Sequence, residues 1–345
     1  MSDDVTALIQ SIRYWGEMCG GRPVDTVYFG GGTPTLLSPH DAERLTDTVL
    51  TAFSVERDAE ITLECNPGTT RRETLTVWKN GGVNRISMGA QSAHPEELKA
   101  LGRLHTWQDV CHTVEMARSV GVDNVNLDFM MGIPHQTAKS LQETLHQAIE
   151  LSPQHLSAYC LMLEEGTPFG RRGAAALGLP DEDGVADLYE LASAYIRSFG
   201  YEHYEISNYA KEGYRSRHNL HTWQGREYVG IGVAAHGYVN GVRYGNSRDL
   251  EGFLAGRDIT EAQRTLTIED EAEEAIMLGL RLSDGVDFDA LAARFPFLTT
   301  AHLPQLCETL GKQGLIHQRD GRISLTEQGF LVSNQVIGAL ISCCL

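Results

Sequence analysis

Positive charge is scarce in this chain: 28 lysines and arginines face 46 aspartates and glutamates over 345 residues, a formal net charge of −18. Such a balance favours solubility and disfavours non-specific binding to nucleic acid. No apolar run reaches the length of about 18 residues that a spanning helix needs. The start, Met1-Ser2-Asp3-Asp4, is acidic and lacks the basic-then-apolar order of a secretory signal. A cytoplasmic protein is expected. Cysteine is present but dispersed, at positions 19, 65, 111, 160, 307, 343 and 344. No pair has CxxC spacing and no three lie close together. Neither a disulfide framework nor a local thiolate cluster for zinc or iron–sulfur is expected. The Cys343-Cys344-Leu345 tail is no prenylation box, because that needs cysteine four from the end.

What is present is the material of a barrel-sized domain plus a smaller one. Hydrophobic residues make up 42% of the chain, enough for a sizeable core. Over the first half, short apolar runs alternate with amphipathic stretches. Strands are expected at 24–29, 60–64, 84–88, 124–130 and 155–163. Between them helices are expected at 39–53, 70–80, 95–101, 106–120 and 137–151, the first with Ser38 as N-cap and Pro39 at the first helical position. A further helix, 4–18, precedes the first strand. Strand–helix–strand order at this spacing implies a parallel sheet. The strand interiors read as near-continuous apolar runs, as for strands buried on both faces. Beyond them come a helix at 181–199, a sixth strand at 202–208 and a Gly-rich segment at 228–244. Helices at 269–282, 287–295 and 301–313 and a hairpin at 315–325, turning at Asp320-Gly321, suggest a winged-helix-like module. Its 264–345 segment holds 6 basic and 11 acidic residues, so a protein-contact or lid role is expected rather than DNA binding.

In parallel α/β sheets, function sits beyond the C-terminal strand ends. The first strand is followed by Gly30-Gly31-Gly32-Thr33-Pro34, where the backbone can approach a ligand closely. The second ends in Glu64 and Cys65-Asn66-Pro67-Gly68, the third in Gln91 and the fourth in Asp128. Arg103 lies on a rim loop. Polar groups collected at one rim suit a ligand with amino-acid and nucleoside ends: carboxylates accept from an ammonium or ribose hydroxyls, and an arginine fork grips a carboxylate.

These segments resemble the radical S-adenosylmethionine (SAM) proteins. The match is carried by Tyr28-Phe29-Gly30-Gly31-Gly32-Thr33-Pro34-Thr35, Glu64-Cys65-Asn66-Pro67-Gly68, Asn84-Arg85-Ile86-Ser87-Met88-Gly89-Ala90-Gln91-Ser92 and Leu101-Gly102-Arg103-Leu104-His105. It is to the branch that holds oxygen-independent coproporphyrinogen III oxidase and the heme chaperone HemW. Glu164-Glu165-Gly166-Thr167-Pro168-Phe169, Tyr204-Glu205-Ile206-Ser207-Asn208-Tyr209-Ala210 and Ser216-Arg217-His218-Asn219 resemble the chaperones more than the oxidases. The resemblance runs from about residue 25 to about 337. It implies an α/β fold: a partial parallel (β/α)6 radical SAM barrel lacking its first strand, with a C-terminal winged-helix-like helical domain. The expected division is a barrel core at 1–210, a heme-motif and Gly-rich region at 211–263 and the C-terminal domain at 264–345.

The resemblance also implies roles. Gly31, Gly32 and Thr33 would contact the methionyl amino group of SAM, and Glu64 would help bind that end. Arg103 would pair with the SAM carboxylate, and Gln91 and Asp128 would hold the ribose. The chaperones carry an H-N-x-x-Y-W heme signature, which here reads His218-Asn219-Leu220-His221-Thr222-Trp223, with Thr222 in place of tyrosine. His218, Asn219 and Trp223 are therefore expected heme-binding residues, with His218 the axial iron ligand, since neutral imidazole suits that role. His221 is a further candidate, and His236 is expected to be buried and structural.

The family holds a [4Fe–4S] cluster on a C-x-x-x-C-x-x-C loop after the first barrel strand. Strand and loop would precede Tyr14; they are missing, and Cys19 stands alone. Either the chain is truncated at its N-terminus or it has lost the cluster. In both cases the cluster is not expected to bind this chain, and a parallel sheet edge is left exposed. A heme chaperone is expected, passing heme to acceptor proteins and meeting membranes only through them; a homodimer is left open. The alternatives are a coproporphyrinogen III oxidase-like enzyme of porphyrin biosynthesis and a non-catalytic SAM or nucleotide binding module.

Overall fold

A computed structural model describes residues 2–345. The chain divides into two compact units. One holds the residues up to His203 together with Ser207–Ser216; the other holds Tyr204–Ile206 and Arg217–Leu345.

The first unit opens with helix α1 (Ser2–Cys19) and then alternates strand and helix: β1 (Pro23–Phe29), α2 (Pro39–Ala52), β2 (Ser54–Cys65), α3 (Arg72–Asn80), β3 (Arg85–Gln91), α4 (Pro95–Ala100), α5 (Trp107–Ser119), β4 (Asn124–Met131), α6 (Ala138–Glu150) and β5 (His155–Cys160). Local signals account for the helix starts. The Ser38 side chain accepts from the Asp41 N–H with Pro39 behind it, and Thr106 and Thr137 close capping boxes on α5 and α6. Two short helices, α7 (Pro168–Arg172) and α8 (Ala174–Leu177), precede the long α9 (Glu182–Ser198). Strands β1 to β5 pair in parallel and in chain order, a curled half-barrel with β1 at its edge. The five expected strands and the helices between them are all present, the fifth strand ending at Cys160.

Two expectations for this sheet need correction. The expected single strand at 202–208 is two strands, β6 (Glu202–Glu205) and β7 (Asn208–Ala210), and β7 runs antiparallel to β5. Nor are the strands apolar on both sides. Ile61, Leu63, Ile86, Met88, Leu127, Phe129 and Leu156 are buried on the outer face, where the Phe29 and Trp78 rings meet at 4.8 Å. The alternate positions, Glu60, Thr62, Glu64, Arg85, Ser87, Asn126, Asp128, His155 and Ser157, are polar and share the inner face. A full barrel plugs its interior with branched apolar side chains. This half-barrel lines it with hydrogen-bonding groups.

The second unit begins with α10 (Arg217–Trp223), followed by strands β8 (His236–Val239) and β9 (Val242–Asn246), helix α11 (Leu250–Leu254) and strand β10 (Thr260–Thr265), which make an antiparallel sheet of order β10-β9-β8. His236 is exposed at the start of β8, not buried as expected: its ring lies over its register partner on β9, Gly245, which has no side chain to cover it. Then come α12 (Ile268–Gly279), β11 (Val286–Asp287), α13 (Phe288–Arg294), α14 (Leu303–Lys312), β12 (Ile316–Arg319), β13 (Arg322–Leu325), α15 (Glu327–Leu331) and α16 (Ser333–Cys344). The hairpin turns where expected, with φ of 51° at Asp320 and 77° at Gly321. β11 adds to β13, giving the winged-helix-like order of elements. Helix α16, which packs on α12 and α14, was not foreseen from the sequence. Arg243 on β9 grips Glu274 on α12 through two hydrogen bonds, Nε to Oε1 at 2.7 Å and Nη2 to Oε2 at 2.5 Å.

Candidate functional site

The inner face of the half-barrel collects most of the residues picked out at the rim. β1 ends beside Glu64. The Tyr28 hydroxyl donates to Glu64 Oε1 at 3.0 Å, and the Gly31 N–H donates to Oε2 at 3.0 Å. Gly30 is needed for this approach, since a Cβ there would lie 2.6 Å from the Glu64 carboxyl carbon. Gly31 is needed for its φ of 81°. Gly32 is exposed and Thr33 half-buried, leading into the 3-10 turn Pro34–Leu36.

Across the sheet, Asp128 accepts from Asn126 Nδ2 at 2.6 Å and lies 3.5 Å from the donating Ser87 hydroxyl. Asn126 is the hub. Its amide also donates to Ser87 Oγ at 2.8 Å, and its Oδ1 meets His155 Nδ1 at 2.6 Å and the Ser157 hydroxyl at 3.2 Å. An amide oxygen only accepts, so His155 donates from Nδ1. Burial holds the His155 imidazole neutral, far below its ordinary pKa, with the Arg85 charge acting in the same direction. Burial also raises the Asp128 carboxyl; hydrogen bonds from Ser157 and Asn126 and the Arg85 charge oppose this, while Glu64 adds to it. The Tyr28 hydroxyl is raised by burial, then by Glu64 and Asp128. Thr62, Arg85 and Asn124 are register partners on β2, β3 and β4. Thr62 Oγ1, Arg85 Nε and Asn124 Oδ1 are buried without a partner. Groups of this kind ordinarily bond ordered water or a ligand.

Gln91 stands where β3 slips register against β4, at a φ of 64°, and accepts the Tyr159 hydroxyl at Oε1 at 3.2 Å. Arg103 is exposed on the loop after α4. That loop is tied down by buried His105, whose Nε2 lies 3.2 Å from the Ala90 carbonyl. The Arg103 charge acts on both His105 and Tyr159, so the guanidinium serves the Gln91 side of the rim. Glu64, Gln91 and Asp128 thus project from three adjacent strands, with the Gly30–Gly32 loop on one side and Arg103 on the other. Tyr28, Arg85, Ser87, Asn126, His155, Ser157 and Tyr159 were missed by sequence reasoning. For Arg85, Ser87, Asn126, His155 and Ser157 the signal was polar–apolar alternation in Arg85-Ile86-Ser87-Met88, Asn124-Val125-Asn126-Leu127-Asp128 and His155-Leu156-Ser157-Ala158; Tyr28 and Tyr159 had none.

The second candidate site lies in the other unit, on α10. Successive residues of an α-helix are turned by about 100°. His218, His221 and Thr222 therefore share one face of α10, and Asn219 and Trp223 share another. His218 and Trp223 are about 140° apart by the same geometry. His218 is half-buried, and His221 Nε2 lies 3.2 Å from Arg226 Nη1. The Trp223 ring lies under Arg281 at 5.6 Å and lines a cleft of about 360 Å³ with Leu282, Val286, Leu291 and Arg294.

The iron–sulfur cluster that the resemblance implies does not fit the donors among the described residues. All seven cysteines are free thiols, and among the described residues no three histidine, cysteine or acidic side chains are grouped to hold a metal.

Comparison with known proteins agrees with this architecture. Residues 9–148 match the radical SAM superfamily and residues 266–332 the HemN C-terminal domain. The chain is 35% identical to the heme chaperone HemW of Bacillus subtilis, over 93% of this chain and 86% of that one. It is 38% identical to the heme chaperone HemW of Escherichia coli, over 92% and 84%. Among solved structures, coproporphyrinogen III oxidase (HemN) of Escherichia coli, a radical SAM enzyme, superposes with a TM-score of 0.83 at 21% identity, covering 99% of this chain and 83% of that one. That likeness is one of fold.

Proposed function

We propose a heme-binding carrier: the chain belongs to the HemW family of radical SAM proteins, and from that premise it binds heme and hands it to acceptor proteins. The observation that carries the reading is the folding of His218-Asn219-Leu220-His221-Thr222-Trp223 as a short helix on which His218 is half-buried. Heme supplies an iron with open axial positions, and neutral imidazole is a good ligand for one of them. His218 takes that position in this reading. Asn219 and Trp223 lie on the neighbouring face, so they reach the same ligand only around the helix end, and iron ligation rests on His218. His221 is occupied by Arg226 and is the weaker candidate.

The barrel rim is read as the SAM site of the fold. Glu64 and the Gly31–Thr33 backbone receive the amino end, Arg103 the carboxylate, and Gln91 with Asp128 the ribose. The two carboxyl acceptors and the exposed guanidinium donor are the right set of partners for a zwitterionic amino acid joined to a nucleoside.

Hemin titration followed by the Soret band checks the first part. His218→Ala is expected to lose the ligation shift and to weaken binding at least tenfold; an unchanged band in the variant removes His218 from the site. For the rim, Arg103→Ala is expected to weaken SAM binding in calorimetry. Equal affinities would take Arg103 out of it.

A further inference from the structure

Gln91 is held in an unusual way. It is a non-glycine residue at positive φ, it sits at a register slip between β3 and β4, and it is only 3% exposed. Backbone conformations of this sort persist where the surroundings over-determine them, and they concentrate at functional sites. Two neighbours do the determining. The Tyr159 hydroxyl on β5 bonds Gln91 Oε1 at 3.2 Å. At the other end of the amide, Nε2 lies over Gly89, 2.8 Å from where a Cβ would stand. The register partner of Gly89 on β4 is Asp128.

The two ends of a glutamine amide have the same shape, so the hydrogen-bond partners decide which is which. Here they agree. A carbonyl at the Tyr159 end accepts its hydroxyl proton, and an NH2 over Gly89 points its positive end toward a sheet face that carries Glu64 and Asp128. The reverse orientation turns an amide oxygen toward two carboxylates. We propose that Tyr159 is a positioning residue: its hydroxyl locks the Gln91 amide so that the NH2, seated in the space left by Gly89, faces the ligand as a donor beside the acceptor Asp128. Nothing in the motif that contains Gln91 points to Tyr159, which lies 68 residues away on another strand. For the bound ligand, the lock matters through the SAM reading above. A donor and an acceptor fixed side by side suit neighbouring hydroxyls, whereas a freely rotating amide presents the wrong end part of the time.

The test is a double-mutant cycle on the full chain, with SAM affinity measured by calorimetry for wild type, Tyr159→Phe, Gln91→Ala and the double variant. Tyr159→Phe is expected to weaken SAM binding about fivefold, the scale of one neutral hydrogen bond. In the Gln91→Ala background the same change is expected to cost less than about twofold, because nothing is left to orient. Equal losses in both backgrounds overturn the proposal, as does a Tyr159→Phe chain that binds like wild type while Gln91→Ala does not. Gly89→Ala, which pushes on the amide from its other end, is expected to repeat the Tyr159→Phe loss. A readout free of SAM separates the two ideas. The side-chain 15N–1H2 pair of Gln91, assigned by its absence in Gln91→Ala, is expected to move in Tyr159→Phe. If wild type does not bind SAM, the SAM reading fails and this signal still decides the lock; an unmoved signal overturns it.

Discussion

On the outer face of the parallel sheet, Leu63, Ile86, Leu127 and Leu156 are fully buried beneath helices, while their sequence neighbours Glu64, Ser87, Asp128 and Ser157 turn inward and bond to one another or to adjoining polar groups. The same strands write both faces. The outer one removes apolar area from water, the main favourable contribution to folding. The inner one holds ionisable groups in a place that penalises their charge, as the raised Asp128 carboxyl and the neutral His155 record. Apolar burial and polar hydrogen bonding are thus assigned to alternate residues, one position apart.

The sharpest way to break this division is a pair of neighbours. Leu127→Ala is expected to cost about 2–5 kcal/mol in urea unfolding and to leave the SAM affinity of the folded chain unchanged. Asp128→Asn is expected to do the reverse, keeping stability while weakening SAM binding. Comparable destabilisation by both changes would remove the distinction.

The next effect is one of pH. His155 is neutral in the fold, and its pKa there lies well below that of the unfolded chain. Below about pH 6.5 the unfolded chain takes up a proton that the native chain refuses, so stability falls on acidification at about 1.4 kcal/mol per pH unit from this group. Above that pH it contributes nothing. Asp128 acts with the opposite sign: its raised carboxyl pKa favours the fold on acidification, over the lower range between its unfolded and folded values. His155→Gln is expected to flatten the limb just below pH 6.5, seen as a melting temperature less sensitive to pH than that of wild type. A variant as acid-sensitive as the parent would assign that limb elsewhere.

The smallest effect is expected away from both faces. Thr106 caps α5 by accepting the Asp109 N–H, and the Asp109 side chain accepts the Thr106 N–H in return. Thr106→Ala is expected to cost about 1 kcal/mol by thermal unfolding. Hemin and SAM binding should not change, which calibrates the larger losses as local.

Much of the architecture was legible because its signals are local. Ser38 and Thr106 announce helix starts, Asp320-Gly321 announces a hairpin, and strands and helices follow at βα spacing. The rim residues Glu64, Gln91 and Asp128 were legible from their place at strand ends. The polar inner face was written just as plainly, but the expectation of strands buried on both faces hid it. That expectation holds for an interior packed with side chains, and this sheet curls around an interior lined with polar groups. The break at Ile206-Ser207 and the antiparallel turn of β7 depend on pairing with β5, a contact that no local pattern carries. His218 and Trp223 look like one motif in sequence, yet five positions on a helix separate them by about 140°.

By itself the sequence determined the order of elements, the helix caps, the glycines where β1 meets Glu64 and the identity of the groups at the rim, because spacing, capping and turn chemistry act over a few residues. Which polar groups meet was decided only by the tertiary structure. Tyr28 finds Glu64 across 36 residues, His155 finds Asn126 across 29, and Tyr159 finds Gln91 across 68. Hydrogen bonds reach about 3 Å, and only the register of neighbouring strands brings such distant positions that close.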